Sequence, residues 1–251
     1  MIRSLACLLS LCMVTAVIAD DLTPAQILRR ADEARGNIAG QAVQWTIGLT
    51  TTRDDQTKEM QLRVVSLGSN MFTEILAPEK SKGQKLLVSG GEMWFYKPGL
   101  SRAVSVPRRQ KLLGDAATGD ITSTDYAGDY DVVQSGLDPV NGVPCYEFDL
   151  KAKNRSATYE QIKFWVSKQR LVGVKAEFYS VSGKKLKTVL LELHDNFDIG
   201  GRKRAFISRM TIIDELTKDK VTTLDFSPPV SKPVPDGFFD VAKLKDTVTT
   251  P

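Results

Sequence analysis

Apolar and polar residues alternate along most of this chain with a period of two. Val43, Trp45, Ile47 and Leu49 are interleaved with Gln44, Thr46 and Gly48. Ile162, Phe164 and Val166 are interleaved with Gln161, Lys163 and Ser167, and Val174, Ala176 and Phe178 with Lys175 and Glu177. Successive side chains of a strand point to opposite faces, so this pattern predicts strands with one dry and one wet face. Further strands are expected at 62–67, 71–76, 85–88, 93–96, 132–133, 145–150, 159–166, 172–179, 186–193, 206–213 and 221–226. Ser89-Gly90-Gly91-Glu92 and Ser182-Gly183-Lys184 carry hairpin chemistry, and charged turns such as Arg53-Asp54-Asp55 and Lys218-Asp219-Lys220 separate other strands. Strands punctuated in this way predict an antiparallel sheet rather than βαβ units. Trp165 falls on the wet phase and is placed on the outer face. Met93-Trp94-Phe95-Tyr96 does not alternate, and Trp94 and Tyr96 are assigned to the inner face.

One segment near the start has helical signals instead. Thr23 can cap a helix, Pro24 suits its first position and Gln26 completes a capping box. Ile27, Leu28, Ala31 and Ala34 make one apolar stripe, and Gly36 ends it. A large half-dry sheet needs a cover. This helix and the stretch 107–127, which lacks strand character, are the candidates. The expected fold is mainly β with a few helices: a strongly curved antiparallel sheet whose concave face is covered by helices. No repeat, linker or low-complexity stretch divides the chain, so one domain is expected.

Composition adds the setting. Residues 1–19 begin Met-Ile-Arg and continue with an apolar run of about 14 residues, Leu5 to Ile18, which is short for the ~20 that span a bilayer. Small residues at Val17 and Ala19 predict an export signal cleaved after Ala19, leaving one domain over 20–251. Cys7 and Cys12 would leave with the signal. Cys145 would then stand alone, without a disulfide partner, as a small buried hydrophobe. The formal net charge of +4 over 251 residues supports solubility and does not point to nucleic acid.

Catalytic equipment is scarce. His194 is the only histidine, so a serine or cysteine triad would have to use it, and no G-x-S-x-G elbow supplies a partner. It follows an alternating strand and reads as a strand-end surface residue. One histidine and one remaining cysteine fall short of a zinc site's ligand set, and no metal or cofactor is expected. Asp129/Asp131 and Asp236/Asp240 lack the density of a calcium loop and read as solvated turn charges. Gly114 to Gly119 has the glycine spacing of a phosphate loop, but Asp120 and Ile121 stand where lysine and a hydroxyl are required. No enzyme activity is expected.

Several blocks together carry a family pattern. The stretch 83–132, with GQKLL, then WFY, then RRQKLLGDAATGD, resembles the outer-membrane lipoprotein-sorting-like family, the LolA-like branch of the periplasmic lipoprotein carrier superfamily. TYEQIKFWVSKQRLVGVKAEFYSVSGKKLKT and VPDGFFD are similar to later blocks of that family, in the same order. The resemblance implies an open half-barrel lidded by helices. It also implies a soluble periplasmic carrier or chaperone for lipid, lipoprotein acyl chains or another lipophile, working in members of this branch beside an inner-membrane transporter. Membrane contact would then be peripheral.

On that reading the cargo groove would be lined by inner-face side chains: Trp45, Ile47, Leu49, Leu62, Val64, Trp94, Tyr96, Phe148, Ile162, Phe164, Phe178 and Phe226. For each of them singly, plain core packing is the favoured reading. Leu112 and Leu113 would dip from a lid toward the groove. Arg108 and Arg109 admit two roles at the rim: meeting a lipid head group or acidic partner, or holding the loop by pairing with Asp115 or Asp120, which is the favoured role. Two other readings stay open, an envelope sensor that binds a protein partner and a lipid hydrolase.

Overall fold

The computed structural model describes residues 22–108, 120, 125–154, 157–217 and 219–249. Helix α1 (Pro24–Glu33) forms as its capping signals predict. The Thr23 side chain accepts from the Gln26 backbone N–H while the Gln26 side chain accepts from the Thr23 N–H. Ile27, Leu28, Ala31 and Ala34 are all buried. Gly36 follows with φ of 101°, and a Cβ there would lie 2.6 Å from the Trp45 ring. Glycine is therefore required both by conformation and by space.

The described residues contain fourteen strands, all in one sheet. Six form a first arm: β1 (Ala42–Arg53), β2 (Gln56–Leu67), β3 (Asn70–Ala77), β4 (Lys85–Ser89), β5 (Glu92–Tyr96) and β6 (Val104–Ser105). Seven form a second arm: β7 (Tyr130–Leu137), β8 (Cys145–Ala152), β9 (Gln161–Ser167), β10 (Gly173–Tyr179), β11 (Lys185–Ile199), β12 (Arg202–Asp214) and β13 (Val221–Phe226). β14 (Val230–Ser231) pairs with β1. Each arm is an antiparallel meander, and the arms join where β13 lies against β1. The two edges of the sheet are β6 and β7. These edges are not hydrogen-bonded to each other, so the sheet is an open half-barrel; in sequence the edges are joined by the stretch 106–129. That stretch ends in a single helical turn, α2 (Tyr126–Asp129), capped by Asp125.

Every strand expected from alternation is present. The hairpin β4–β5 turns at Gly90 and Gly91, both with positive φ, as its sequence predicts. His194 differs from expectation. It is exposed but lies within β11, at an irregularity between His194 and Phe197 where Asn196 adopts φ of 70°.

The main core fills the inner face. Trp45, Leu62, Phe148, Phe164 and Phe206 pack there beneath Ile27 and Leu28 of α1. The Trp45 and Phe206 rings meet edge to face at 5.2 Å. A second, smaller core lies on the outer face of the first arm. Phe72, Leu87 and Tyr96 are covered there by Leu244, with Phe238 and Phe239 packed around them. Cys145 is buried and unpaired, as expected, and burial pushes its thiol up.

Candidate functional site

A row of inner-face residues crossing the second arm sets the site. Leu150, Ile162, Phe178, Lys187 and Asp214 stand opposite one another on β8 to β12. The neighbouring row, Phe148, Phe164, Ala176, Val189 and Ile212, is apolar throughout. The inner face therefore changes from dry to charged at Phe178 and Lys187. Beside this change the register between β10 and β11 slips: Phe178 faces Lys187 and Tyr179 faces Lys185, leaving Leu186 over. A bulge of this kind re-aims a side chain.

Leu186, Tyr179, Val181 and Leu216 line a cavity of about 600 Å³ at this end of the sheet. That size falls within the ~300–1,000 Å³ of small-ligand sites. Val181 is 75% exposed and Leu216 53%, so the two hairpin turns present apolar side chains to water at the cavity mouth. Thr158, Glu160, Ser180, Ser182 and Asp214 add polar groups to the wall. Asp214 already accepts from the Leu216 and Thr217 N–H groups and faces Lys220 at 3.5 Å, and these contacts hold its carboxyl below the usual range against the effect of burial.

Lys187 and Tyr159 also line this cavity, and both reach the same carboxylate. The Lys187 ammonium donates to Asp120 Oδ2 at 2.5 Å, and the Tyr159 hydroxyl donates to Asp120 Oδ1 at 2.5 Å. The Lys187 side chain is 9% exposed and that of Asp120 1%. Burial first, and then the Asp120 charge, push the Tyr159 hydroxyl well above its ordinary range, so it remains a donor. Phe178 packs against the Tyr159 ring at 4.4 Å between centroids.

Two further sets of contacts lie at the ends of the connection between the edges. Arg108 donates to Asp129 Oδ2 at 2.6 Å and to the Gly91 carbonyl at 2.8 Å. Gly91 belongs to the β4–β5 turn and Asp129 directly precedes β7, so one guanidinium links both margins of the open sheet. Asp32 of α1 is fully buried and accepts from the Ala127 N–H at 2.9 Å, joining α1 to α2. Burial raises its carboxyl from 3.8 to about 7, with the Ala127 hydrogen bond and Arg35 opposing.

The inner-face assignment can be checked residue by residue. Trp45, Ile47, Leu49, Leu62, Val64, Phe148, Ile162, Phe164 and Phe178 are buried in the inner core, and Phe226 packs against it half-buried. Trp94 and Tyr96 are a correction: they point to the outer face, and Met93 and Phe95 take the inner positions. Trp165 does lie on the outer face, buried beneath Lys175 at 4.2 Å. Arg108 pairs with Asp129, and Asp120 pairs with Lys187. Arg109, Leu112, Leu113 and Asp115 lie outside the described residues. The sequence reading missed Lys187, Tyr159, Leu186, Val181 and Leu216. One signal for Lys187 was present: it occupies the phase of β11 that carries Val189 inward, and a charge on an apolar phase marks a polar site.

No curated protein matches the chain. A family model described only as an uncharacterized protein matches residues 68–246. Among solved structures, a LolA superfamily protein from Nitrosomonas europaea is 31% identical, with a TM-score of 0.73 over 89% of this chain and 98% of that one. The chain belongs to the LolA superfamily. Two more distant structures share the fold. A DUF1329 family protein from Desulfovibrio piger is 19% identical with a TM-score of 0.71, over 88% of this chain and 97% of that one. A domain classed with outer membrane lipoprotein-sorting proteins, from Vibrio parahaemolyticus, is 19% identical with a TM-score of 0.70, over 87% and 97%. The open half-barrel is thus the LolA-type carrier fold. No helix among the described residues is long and apolar enough to cross a membrane.

Proposed function

We propose that this LolA superfamily protein is an exported periplasmic carrier that holds the acyl chain of a lipid or lipidated cargo and passes it between components of the envelope. The observation that carries the reading is the cavity at the open end of the second arm, walled by Leu186, Tyr179, Val181 and Leu216. An acyl chain of roughly 14 methylenes gains on the order of 11 kcal/mol on leaving water, before ordering costs. A half-covered sheet supplies such an apolar surface while leaving an exit. The N-terminal signal, cleaved after Ala19, would deliver a single domain over 20–251 to the periplasm, where the partner would be an inner-membrane transporter. The reading requires no catalytic residue. Candidate cargo contacts are the cavity wall and the inner-face residues next to it, Ile162 and Phe178. Arg108 serves to hold the connection between the sheet edges. Arg109, Leu112 and Leu113 are assigned to the rim and lid from the position of their segment between strands and from family pattern.

The test is direct. Protein purified from the periplasm is extracted and the extract analysed by lipid mass spectrometry, and stripped protein is offered long-chain amphiphiles. Co-purified or rebound acyl lipid at near-stoichiometric yield is expected. If no acyl compound is recovered or bound while a saturable protein complex is pulled from the membrane fraction, the sensor reading replaces this one.

A further inference from the structure

Two residues that line the cavity, Lys187 and Tyr159, hold one carboxylate between them. Asp120 supplies that carboxylate from the connection between the sheet edges, sixty-seven residues from Lys187 in sequence. Its Oδ2 accepts from the Lys187 ammonium and its Oδ1 from the Tyr159 hydroxyl. Both donors belong to the second arm and both line the cavity. Leu186, Val181 and Leu216 line the same cavity, and Val181 and Leu216 are exposed to solvent. A buried ion pair adds little stability over apolar residues of the same volume, so stability alone gives no reason to keep a lysine here.

Resting on the carrier reading, we infer that the preferred cargo is an acyl chain with an anionic carboxylate head, of the fatty-acid class, whose head takes the place of the Asp120 carboxylate between Lys187 and Tyr159. The exchange is balanced in charge: one ammonium faces one carboxylate before and after. The released Asp120 carboxylate is hydrated, which offsets dehydration of the cargo head. A neutral head, such as an alcohol, cannot make this exchange without leaving Lys187 buried beside no anion, which is costly. A cationic head would meet Lys187 as a like charge. Discrimination should therefore act on the head group, while the chain supplies most of the affinity. Hydrogen bonds to charged groups are the stronger kind, and losing one corresponds to roughly a tenfold change in affinity.

The experiment uses the full mature chain at pH 8 with Nile red bound as a neutral reporter. Myristate, 1-tetradecanol and tetradecyltrimethylammonium, which share one chain length, are compared as displacers below their aggregation concentrations. Myristate should displace the dye at roughly tenfold lower concentration than the alcohol, and the cation should be weakest. Asp120→Asn, which keeps the shape but removes the resident anion, should strengthen myristate binding several-fold and leave the alcohol unchanged. Tyr159→Phe should weaken myristate alone. The double variant Asp120→Asn/Lys187→Met, which leaves no unpaired buried charge, should bring myristate and alcohol to parity. Equal displacement by myristate and alcohol in both the wild type and Asp120→Asn would overturn the head-group inference and leave the carrier reading standing. Failure of all three amphiphiles to displace the dye or bind by calorimetry would remove the carrier reading itself.

Discussion

The outer faces of the two arms are covered in opposite ways. On the first arm, Phe72, Leu87 and Tyr96 form a dry patch sealed by Leu244, with the Phe238 ring 5.3 Å from that of Phe72. Polar contacts pin the seal: Lys85 donates to the Lys245 carbonyl at 2.6 Å, and Thr249 donates to Glu74 at 2.5 Å. On the second arm the outer face is a ladder of ions, with Lys163 on Glu147 at 2.6 Å, Lys175 on Glu177 at 2.9 Å and Lys185 on Glu215 at 3.1 Å. The first arm is thus packed on both faces near β3–β5, whereas the second carries ion pairs on its outer face, with Trp165 buried among them. A strand buried on both faces has no reason to alternate, and one with a wet face must. The cavity lies in the half whose outer face is ionic.

The comparison is broken most strongly by removing the keystone of the double-faced region. Phe72 is fully buried between sheet and C-terminal cover. Phe72→Ala should cost about 3–5 kcal/mol of unfolding free energy in a denaturant titration. It should leave binding at the second-arm cavity intact in molecules that remain folded. A loss below about 1 kcal/mol would mean that the outer patch adds little to the fold.

The same contrast explains what could be read from the sequence. The alternating strands of the second arm declared their inner faces, and the capping box declared α1. Trp94 and Tyr96 were misassigned because alternation is the only cue to side, and MWFY, dry on both sides, does not alternate. The early part of β2, Gln56 to Gln61, escaped notice because it extends a hairpin beyond the core, where both faces are largely wet. Its pairing with Gly48 to Arg53 of β1 specifies it instead. The cavity was hidden for other reasons. Leu186 turns into it through a bulge that periodicity does not encode. The Asp120–Lys187 pair is long-range, so no local spacing announces it.

Next in expected size is the link between the edges that belong to the two arms. Arg108→Ala removes one partner of a buried pair and strands Asp129, at a cost of about 3 kcal/mol. Unlike the Phe72 change, its effect should be local. Hydrogen exchange should accelerate first in β7 and the β4–β5 hairpin, with β1 and β2 protected until global unfolding. Uniform acceleration across the sheet would contradict a link confined to the margins.

The two covers should also differ in their response to pH. The C-terminal cover holds the outer face of the first arm mainly by apolar contact. Helix α1 grips the inner side through Asp32, whose carboxyl burial raises to about 7. Between pH 4 and 7 the folded chain therefore holds a proton there that the unfolded chain has released. This contribution favours folding at the acid end and is lost as pH rises through 7. Asp32→Asn keeps an acceptor for the Ala127 N–H and removes the titration. It should be more stable than the wild type by about 1–3 kcal/mol at pH 8, with the gap closing toward pH 4. Phe238→Ala, in the other cover, should shift stability equally at both pH values.

The smallest effects belong to the ionic face of the second arm. The Lys163 and Glu147 side chains are 33% and 23% exposed, so water screens their attraction. Lys163→Gln keeps most of the stem and should cost less than about 1 kcal/mol. Lys175 differs because its ammonium lies 4.2 Å from the Trp165 ring and its stem shields that ring, which also donates to Asp138 at 2.9 Å. Lys175→Gln should behave like the Lys163 change, whereas Lys175→Ala uncovers the indole and should cost more, about 1–2 kcal/mol. The alanine variant should also shift tryptophan emission to the red, and the glutamine variant should not. If glutamine and alanine cost the same, charge rather than cover is what the lysines contribute, and the ladder would be an electrostatic surface instead of an amphipathic lid over Trp165.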